Sequence, residues 1–409
     1  MSRTGPVDIL LFSVELGRYG PPRLPECLAR AGLRVAALCD AGDLLAASCH
    51  LQSCTVLPIS RTLGGLGGAL CRTIATLRPR LVIPGDEQAV MIMQTLTRPR
   101  GARIARRAGT DVASILAASL GEPRYYDASL LKTQTLAVAR RIGVPTPCSH
   151  TVTSADAAVI AAARMGYPVY CKASFGWAGR GVTRCEDGLA LRKAFDATQQ
   201  RFGNLRAIMR RLADRDWYPV DTPIDVQSGV SGGSAMVCAL AWQGRMVAAT
   251  SAERLVTSSA NGPSVAVRLR HDPGMVKNAG RMIAALGLHG FASFDFMVPS
   301  DGSEALLLEC NPRPVPIVHH AVRVGVDFPE VLAGLMRGRC APVTPVLAQG
   351  HADVLLFPGS LDPAWADEAK RRGWHVDIPF GEPGLIAAVQ SRPEAERALP
   401  PPTVASIAA

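Results

Sequence analysis

The chain has 409 residues, of which 48% are hydrophobic, and it carries a formal net charge of +10 at pH 7 with a pI near 9.3. This length predicts two or three domains. The core should be ample, because a domain of ~150 residues already buries about two-thirds of its unfolded surface. No apolar run reaches the ~18 residues of a membrane span, and the N-terminal residues lack the charged and apolar regions of a signal peptide. We therefore expect a soluble, cytoplasmic protein without a membrane partner.

The eleven cysteines are odd in number and scattered along the chain. Several, such as Cys171 and Cys310, lie within apolar segments, and the sequence contains no CxxC pair or Cys/His grouping at zinc spacing. This pattern is typical of buried, reduced thiols and argues against a disulfide framework.

Residues 7 to about 120 alternate short apolar strands with helical segments, a rhythm that predicts a parallel sheet. The predicted strands are Val7–Val14, Arg34–Cys39 and Leu81–Pro84, with helices at Pro22–Ala31 and around Leu70–Leu77. Polar residues follow two of these strands, as Arg18–Gly20 and Gly85–Glu87, at the carboxyl ends where open α/β sheets bind ligands. Capping of the next helix explains Asp86 equally well.

Positive charge is concentrated in Thr97–Arg107, which contains five arginines. Nucleic-acid backbones attract such clusters, but no aromatic residues interleave with these arginines and no nucleic-acid motif surrounds them. The segment therefore favours a solvated surface, and a nucleic-acid partner is not expected.

Lysine is scarce, and two of the five lysines precede glycine-containing segments. Lys132 lies in a predicted helix, Leu130–Ile142, that ends at glycine and prolines. Lys172 lies on a predicted strand, Pro168–Ala173, directly before a glycine-rich loop. An ammonium group at either place would meet phosphate oxygens as a point charge, and a solvated surface lysine is the alternative.

The glycine-rich loop runs from Ser174 to Val182 and contains Gly176, Gly179 and Gly181. Such glycines let the backbone approach a ligand and present N–H groups to phosphate. The loop lacks the lysine of a P-loop and the GxGxxG of a dinucleotide fold, so a plain hairpin turn is the competing interpretation.

A hairpin over residues 294–314 carries the strongest chemical pattern in the chain. Asp295 lies on an apolar strand that turns at Ser300–Gly302, and the returning strand ends in Glu309-Cys310-Asn311. Alternation places Glu309 and Asn311 on one face, and the hairpin brings Asp295 beside them, with Cys310 on the opposite face. Two carboxylates and an amide at one point suit a hard cation, and proteins usually bind Mg²⁺ with one or two carboxylates together with substrate phosphates.

This hairpin resembles the metal-binding hairpin of the ATP-grasp superfamily, whose members carry an acid and then Glu-x-Asn on the next strand. The resemblance implies ATP and Mg²⁺ as cofactors, with Mn²⁺ as an alternative ion, and it makes Asp295, Glu309 and Asn311 the metal ligands. It also makes Lys132 and Lys172 nucleotide-binding lysines, and the loop with Ser174, Gly176, Gly179 and Gly181 the lid over the triphosphate. Trp177 and Phe175 would seal or anchor that lid.

The resemblance extends to the segment after the lid. Gln227, Ser228 and Val230 stand where the superfamily connects its lobes against adenine. Relatives often carry a Glu near Ser228, and this chain has none there, so that either Gln227 substitutes or the nucleotide is held more loosely. Arg254, Arg268 and Arg313 become candidates for contacting phosphate or a substrate carboxylate. His319 and His320 are candidates to deprotonate an amine, with a structural role as the alternative.

The implied fold class is mixed α/β and α+β: a parallel-sheet pre-ATP-grasp domain, a two-lobed ATP-grasp fold and a small C-terminal appendage. The predicted bounds are 1–124 for the N-terminal domain, 125–226 and 227–340 for the two lobes, and 341–409 for the extension. Within the extension, strands are expected at Asp353–Phe357 and His375–Ile378 with a helix between them.

The implied activity is that of the carboxylate–amine ligases of this superfamily. These enzymes include D-alanine:D-alanine ligase and the amino-acid ligases. The partners would be a small carboxylate and an amine, joined through an acyl phosphate with release of ADP and phosphate, and a homodimer is a further possibility. Two alternatives stay open. One is another ATP-grasp output, such as carboxylation with bicarbonate or phosphorylation of a different acceptor, and the other is a nucleotide-binding relative with weak catalysis.

Overall fold

The computed structural model describes residues 6–176, 181–202, 208–209, 212–213, 217, 223–258, 262–393 and 399. Three sheets organise these residues, and each sheet is built from a largely continuous part of the chain. None of the helices in these ranges is long and apolar enough to cross a membrane.

The first sheet is parallel, as the N-terminal rhythm predicts, with the strand order β3-β2-β1-β4. Its strands are β1 (Ile9–Phe12), β2 (Val35–Cys39), β3 (Ser53–Val56) and β4 (Leu81–Pro84). Its helices are α1 (Leu24–Arg30), α2 (Gly68–Leu77), α3 (Glu87–Thr97), α4 (Pro99–Ala108) and α5 (Thr110–Leu120). Strand β3 is not predictable from the sequence, because its residues are exposed at the sheet edge and form no apolar run.

Asp86 links two parts of this domain. Its Oδ1 accepts a hydrogen bond from the Ala89 amide at 2.8 Å, which caps α3, and its Oδ2 accepts from the Val14 amide at 2.6 Å. Of the two interpretations of Asp86, the structure therefore supports helix capping. The following residue, Glu87, lines the cleft between the sheets. The arginine-rich α4 buries Gly101 and Ala105 against the domain, while Arg103, Arg106 and Arg107 are exposed.

The second sheet is antiparallel, with the order β5-β8-β6-β7. Its strands are β5 (Ser149–Val152), β6 (Val169–Ala173), β7 (Val182–Cys185) and β8 (Ile224–Ser228). The helices around it are α6 (Tyr126–Leu130), α7 (Lys132–Arg141), α8 (Ala155–Met165) and α9 (Gly188–Phe202). Strand β8 spans the predicted boundary between residues 226 and 227, and the domain bounds remain predictions.

The third sheet has the order β13-β12-β9-β10-β11-β15-β16, with β14 paired beside β10. Its strands are β9 (Gly232–Trp242), β10 (Arg245–Thr257), β11 (Ser264–Arg270), β12 (Gly290–Pro299), β13 (Leu306–Asn311), β14 (Val346–Leu347), β15 (His351–Leu355) and β16 (His375–Val376). The helices of this part are α10 (Pro273–Leu286), α11 (Phe328–Met336), α12 (Pro363–Arg371) and α13 (Pro383–Gln390).

Helix α10 explains how β12 is oriented. Asp272 caps this helix by accepting a hydrogen bond from the Met275 amide at 2.9 Å, and Gly287 ends it in the left-handed conformation. The buried residues of α10 belong to the same core cluster as Phe294 and Phe296, which are fully buried. Because side chains alternate along a strand, Asp295 between these phenylalanines faces the other side of the sheet.

The C-terminal residues join both the third sheet and the N-terminal domain. Strand β15 pairs with β11, so the predicted strands of this region extend the large sheet. Buried Asp377, just after β16, lies 2.8 Å from Arg23 of the N-terminal domain, and Glu382 accepts a hydrogen bond from the Ser48 hydroxyl at 2.6 Å. These contacts hold the appendage against the first sheet.

Candidate active site

The three sheets surround one cleft of about 600 Å³. The loops after β1 and β4 form one side, β6 and β8 form a second side, and the sheet face with β12 and β13 forms the floor. Charged side chains occupy the middle of this cleft, and they come from all three sheets. The predicted site residues that line the cleft are Lys132, Lys172, Gln227, Ser228, Val230, Arg254, Asp295, Glu309, Asn311 and Arg313.

The β12–β13 hairpin places its three polar residues as alternation requires. Asp295 lies directly opposite Glu309, and Ser293 lies opposite Asn311. The Asn311 amide donates a hydrogen bond to Glu309 Oε1 at 3.4 Å, and Cys310 is buried in the core on the other face. The two carboxylates and the amide are thus neighbours on the floor of the cleft.

Electrostatics at the hairpin favour a cation. Burial and the neighbouring Glu309 carboxylate raise the pKa of Asp295. For Glu309, burial acts in the same direction, but the Lys132 charge and its hydrogen bonds lower the pKa below its usual value. Two adjacent carboxylates in a partly buried site repel each other, and a divalent ion would relieve that repulsion. With oxygen donors from Asp295, Glu309 and Asn311, the site fits Mg²⁺, which prefers carboxylate and amide oxygens.

Lys132 connects the start of α7 to the hairpin and to the loop after β6. Its Nζ lies 2.7 Å from Glu309 Oε2 and also donates a hydrogen bond to the Gly176 carbonyl at 2.7 Å. Its backbone amide donates to the Ser174 carbonyl at 2.8 Å. Lys132 therefore carries a positive charge next to the paired carboxylates and fixes the first residues of the glycine-rich loop.

Lys172 lies on β6 and contacts Gln227 of β8. Its ammonium donates a hydrogen bond to Gln227 Oε1. Gln227 is the residue that could substitute for the Glu of relatives, and in this structure it binds the lysine. Burial and the charge of Lys132 lower the pKa of Lys172 to about 8. Two ammonium groups close enough to lower a pKa form a strongly positive pair, as a polyphosphate site requires.

Two arginines complete the charged middle of the cleft. Arg254 of β10 approaches Asp295 with Nη2 at 4.0 Å from Oδ2. Arg313 follows β13 and forms an ion pair with Glu87, with Nη2 at 2.5 Å from Oε1. Within the described residues, the Nε atoms of both arginines are buried without a hydrogen-bond partner. These unpaired donors are suited to an anionic ligand.

Several predicted site residues do not reach the cleft. Arg268 faces away and forms a two-point ion pair with Asp353, at 2.7 and 2.8 Å, because β15 pairs beside β11 there. The Ser174 side chain is buried and bonds to the Thr133 hydroxyl at 2.7 Å. Gly176 and Gly181 lie at the ends of the loop and do not line the cleft, whereas Gly179 and Trp177 lie outside the described residues.

His319 and His320 also lie away from the cleft. His320 is buried and His319 is 9% exposed, and their Nε2 atoms lie 3.0 and 3.2 Å, respectively, from Asp377 Oδ2. Burial and the neighbouring His320 ring lower the pKa of His319 to about 3, so this imidazole is neutral at physiological pH. The structural role, which was the alternative for these histidines, is therefore the one their positions support.

Glu87 and Arg18 form a charged group within the site that the sequence did not reveal. Arg18 Nη2 lies 2.7 Å from Glu87 Oε2, and Glu87 also pairs with Arg313. Both residues had been noted only as polar residues at strand ends. Nothing local indicates that Glu87 meets Arg313, which is 226 positions away in the chain.

Comparison with known proteins decides the fold family. Residues 132–323 match the family described as carbamoyl-phosphate synthase L chain, ATP binding domain. These matched residues carry the ATP-binding domain of the ATP-grasp superfamily. This match spans Lys132, Lys172 and the β12–β13 hairpin, so the superfamily inferred from the sequence is confirmed, while the narrower resemblance to carboxylate–amine ligases is not tested by it.

A curated relative of this chain is the carbamoyl phosphate synthase large chain of Gemmatimonas aurantiaca. The two are 27% identical over 297 residues, which are 68% of this chain and 25% of that protein. The chain spans about a quarter or less of the length of the curated relatives it matches.

Two solved structures show the same fold with different chemistry. The biotin carboxylase domain of Hydrogenobacter thermophilus 2-oxoglutarate carboxylase, a dimer in complex with MgADP, ADP and bicarbonate, has a TM-score of 0.61 at 14% identity, covering 84% of this chain and 73% of that one. The L-amino acid ligase of Bacillus licheniformis has a TM-score of 0.56 at 15% identity, covering 82% and 75%. At these identities the likeness concerns the fold alone, and the fold class predicted from the sequence is confirmed.

Proposed function

We propose that this ATP-grasp protein transfers the γ-phosphoryl group of Mg-ATP to a carboxylate oxygen of a small acceptor, forming an acyl phosphate and ADP. The observation that carries this proposal is the pairing of Asp295 with Glu309 on the cleft floor, with Lys132 at 2.7 Å from Glu309. Opposite charges at this spacing suit a metal–polyphosphate complex, whereas a purely structural cluster has no need of two adjacent carboxylates in a cleft.

Asp295, Glu309 and Asn311 would hold Mg²⁺, which neutralises phosphate charge when it is bound. Lys132 and Lys172 would bind phosphate oxygens as point charges. Gln227, Ser228 and Val230 line the neighbouring side of the cleft, where we place the adenine. Gly179 of the glycine-rich loop stays a predicted lid residue.

In the proposed step, a carboxylate oxygen attacks the γ-phosphorus and the bond to the β–γ bridging oxygen breaks, so that ADP leaves. Negative charge spreads over the transferring oxygens, and fixed cations nearby stabilise it. Arg313 and Arg254 each have a buried Nε without a partner in the described residues, and this favours them as the groups that orient the acceptor anion. Positioning of this kind supplies ~7–11 kcal/mol of the barrier reduction in favourable cases.

Two acceptors use this same chemistry. Bicarbonate is supported by the relatives, since carbamoyl phosphate synthase and the biotin carboxylase domain are among them. An organic carboxylate, later joined to an amine that displaces phosphate, is supported by the likeness to the L-amino acid ligase fold. The shared first step is the proposed function, and a homodimer stays a prediction.

ADP release measured over a matrix of acids tests the proposal. The purified protein is incubated with ATP and Mg²⁺, with bicarbonate or single organic acids, and with or without amines. We expect ADP release to require both Mg²⁺ and a carboxylate, and hydroxylamine to trap the acyl phosphate as a hydroxamate. Release of ADP in the absence of a carboxylate would contradict the proposal. A phosphate product that contains no ¹⁸O when the carboxylate is labelled with ¹⁸O would also contradict it.

A further inference from the structure

The cleft has two apolar ends on either side of its charged middle. One end lies beside Lys172 and contains Tyr170, Val182 and Leu308, and the proposed adenine site is there. The other end lies between the N-terminal domain and the C-terminal residues. We call this second end the acceptor chamber, and its walls include Tyr19, Val265, Val315, Leu356 and Phe357.

Four separate parts of the chain build the acceptor chamber. Tyr19 follows β1, Val265 lies on β11, Val315 follows Arg313, and Leu356 and Phe357 follow β15. The rings of Tyr19 and Phe357 meet edge to face, with centroids 6.4 Å apart, so that the N-terminal domain and the C-terminal residues are in contact at this wall. The Leu356 amide donates a hydrogen bond to the Val265 carbonyl at 2.8 Å, which fixes the wall to the large sheet.

The chamber wall is preformed. Val265, Val315, Leu356 and Phe357 are each buried to more than nine-tenths, so their positions are set by packing within the protein. Preformed apolar surface that lines a cavity binds apolar ligand groups, because the ordering cost has already been met in folding. A bicarbonate ion has no apolar group to place against this wall.

The same cleft contains polar groups that lack a hydrogen-bond partner among the described residues. Arg313 and Arg254 each have a buried Nε without a partner in the described ranges, and Ser264 Oγ, at the start of β11, is likewise unpaired there. Tyr19 follows Arg18, which shares the Glu87 carboxylate with Arg313, and Tyr19 contacts Phe357. An acceptor with its carboxylate at Arg313 would therefore place its remaining atoms toward Tyr19 and Phe357.

We infer that the acceptor is an organic acid with an apolar side chain, such as an aliphatic or aromatic amino acid, whose carboxylate lies at Arg313 and Arg254 and whose side chain lies against Tyr19 and Phe357. This inference rests on the proposed function and narrows its acceptor. It places the specificity of the enzyme in a wall shared by the N-terminal domain and the C-terminal residues.

A comparison of acids tests the inference. ADP release is measured with saturating Mg-ATP and with glycine, aspartate, leucine, phenylalanine, their amine-free analogues or bicarbonate. We expect kcat/KM for the apolar acids to exceed that for glycine and for aspartate at least tenfold, since one or two buried methylene groups are worth about tenfold or more in a hydrophobic pocket.

Tyr19→Ala is the main variant, because Tyr19 is a partly exposed loop residue and its loss leaves the core intact. It should raise KM for leucine or phenylalanine at least fivefold with little change in KM for ATP, and Tyr19→Phe should restore the low value. Phe357→Leu is a second variant that keeps the site apolar. Tyr167→Ala, at an exposed tyrosine outside the cleft, is the matched control.

The outcomes separate the inference from the proposed function. Equal stimulation by glycine, aspartate and leucine overturns the inference and leaves acyl phosphate formation standing. Stimulation by bicarbonate alone also overturns it, in favour of the carboxylase acceptor. If every acid fails to stimulate ADP release although the protein binds Mg-ATP, the proposed function itself fails and the inference falls with it.

Discussion

Arg313 Nη2 lies 2.5 Å from Glu87 Oε1, and this ion pair joins the end of β13 to the first turn of α3 in the N-terminal domain. Glu87 also binds Arg18 at 2.7 Å, so one buried carboxylate holds two guanidinium groups at the edge of the cleft. The orientation of Arg313 toward an acceptor therefore depends on the N-terminal domain.

Glu87→Gln should lower kcat/KM for the acceptor while changing KM for ATP little, because the variant frees Arg313 without touching the nucleotide side. It should also destabilise the protein by ~3–5 kcal/mol, as removal of one partner from a buried ion pair does. Steady-state kinetics and urea denaturation measure the two effects. An unchanged acceptor kcat/KM would show that Glu87 does not position Arg313.

We expect the stability of the protein to depend on pH through Glu87. Burial would raise the pKa of Glu87, but the Arg313 and Arg18 charges outweigh it and lower the pKa below the usual 4.5. A carboxyl group with a lowered folded pKa stabilises the protein above pH ~4.5, and the contribution is lost as the pH falls through the folded value. Wild type should therefore lose more stability than Glu87→Gln between pH 5 and pH 3, as measured by thermal melting, and parallel curves would contradict this.

Glu309→Gln should reduce Mg²⁺-dependent ADP release by ~10²–10³-fold, the usual cost of losing one group that stabilises transition-state charge. The amide keeps the shape of the side chain but cannot supply the anionic oxygen. ADP release and the circular dichroism spectrum are measured together. Glu330→Gln, at a residue that is 47% exposed and outside the cleft, is the matched control. Wild-type turnover in Glu309→Gln would remove the metal assignment.

We expect kcat/KM for ATP to fall in mild alkali because of Lys172. Burial and the Lys132 charge lower the pKa of Lys172 to about 8 in the free protein. The cationic form binds phosphate, so kcat/KM for ATP should fall as the pH rises through about 8, and kcat/KM reports the free enzyme. In Lys172→Arg the guanidinium stays charged, and the decline should shift upward or vanish. An identical decline in both proteins would assign it to another group.

We expect Asp377 to stabilise the contact between the C-terminal residues and the N-terminal domain. Its carboxylate pairs with Arg23 at 2.8 Å and accepts from His319 at 3.2 Å, and all three side chains are largely buried. Asp377→Asn would leave Arg23 short of its buried partner and should cost ~3–5 kcal/mol. Denaturant unfolding and limited proteolysis of the C-terminal region measure the effect. Asp367→Asn, at a residue that is 70% exposed, should change neither, and equal behaviour of the two variants would contradict the prediction.

The sequence predicted the β12–β13 hairpin because its information is local. Alternation between Phe294, Asp295 and Phe296 fixes which side chain leaves the core, and Gly302 in the left-handed conformation allows the turn. The parallel N-terminal sheet was predictable for the same reason, since apolar strands and intervening helices are visible one after another. Strand β3 was missed because its residues SCTV are exposed at an edge and lack an apolar pattern.

Arg268 illustrates the limit of local patterns. Its position on a strand near Arg254 suggested a place in the cleft, but β15 pairs beside β11 and brings Asp353 to it from 85 positions away. His319 and His320 follow the hairpin closely in sequence, and yet Asp377 holds them away from the cleft.

The sequence alone indicated the ATP-grasp resemblance, the shared face of the polar hairpin residues and the two lysines of the cleft, because each depends on spacing within one or two neighbouring elements. Tertiary structure decided that Glu87 pairs with Arg313, that Arg268 is bound by Asp353, and that Tyr19 meets Phe357 across the acceptor chamber. The physical reason is that these contacts arise where three sheets pack together. The relative placement of the sheets depends on the burial of whole apolar faces, which no short segment encodes.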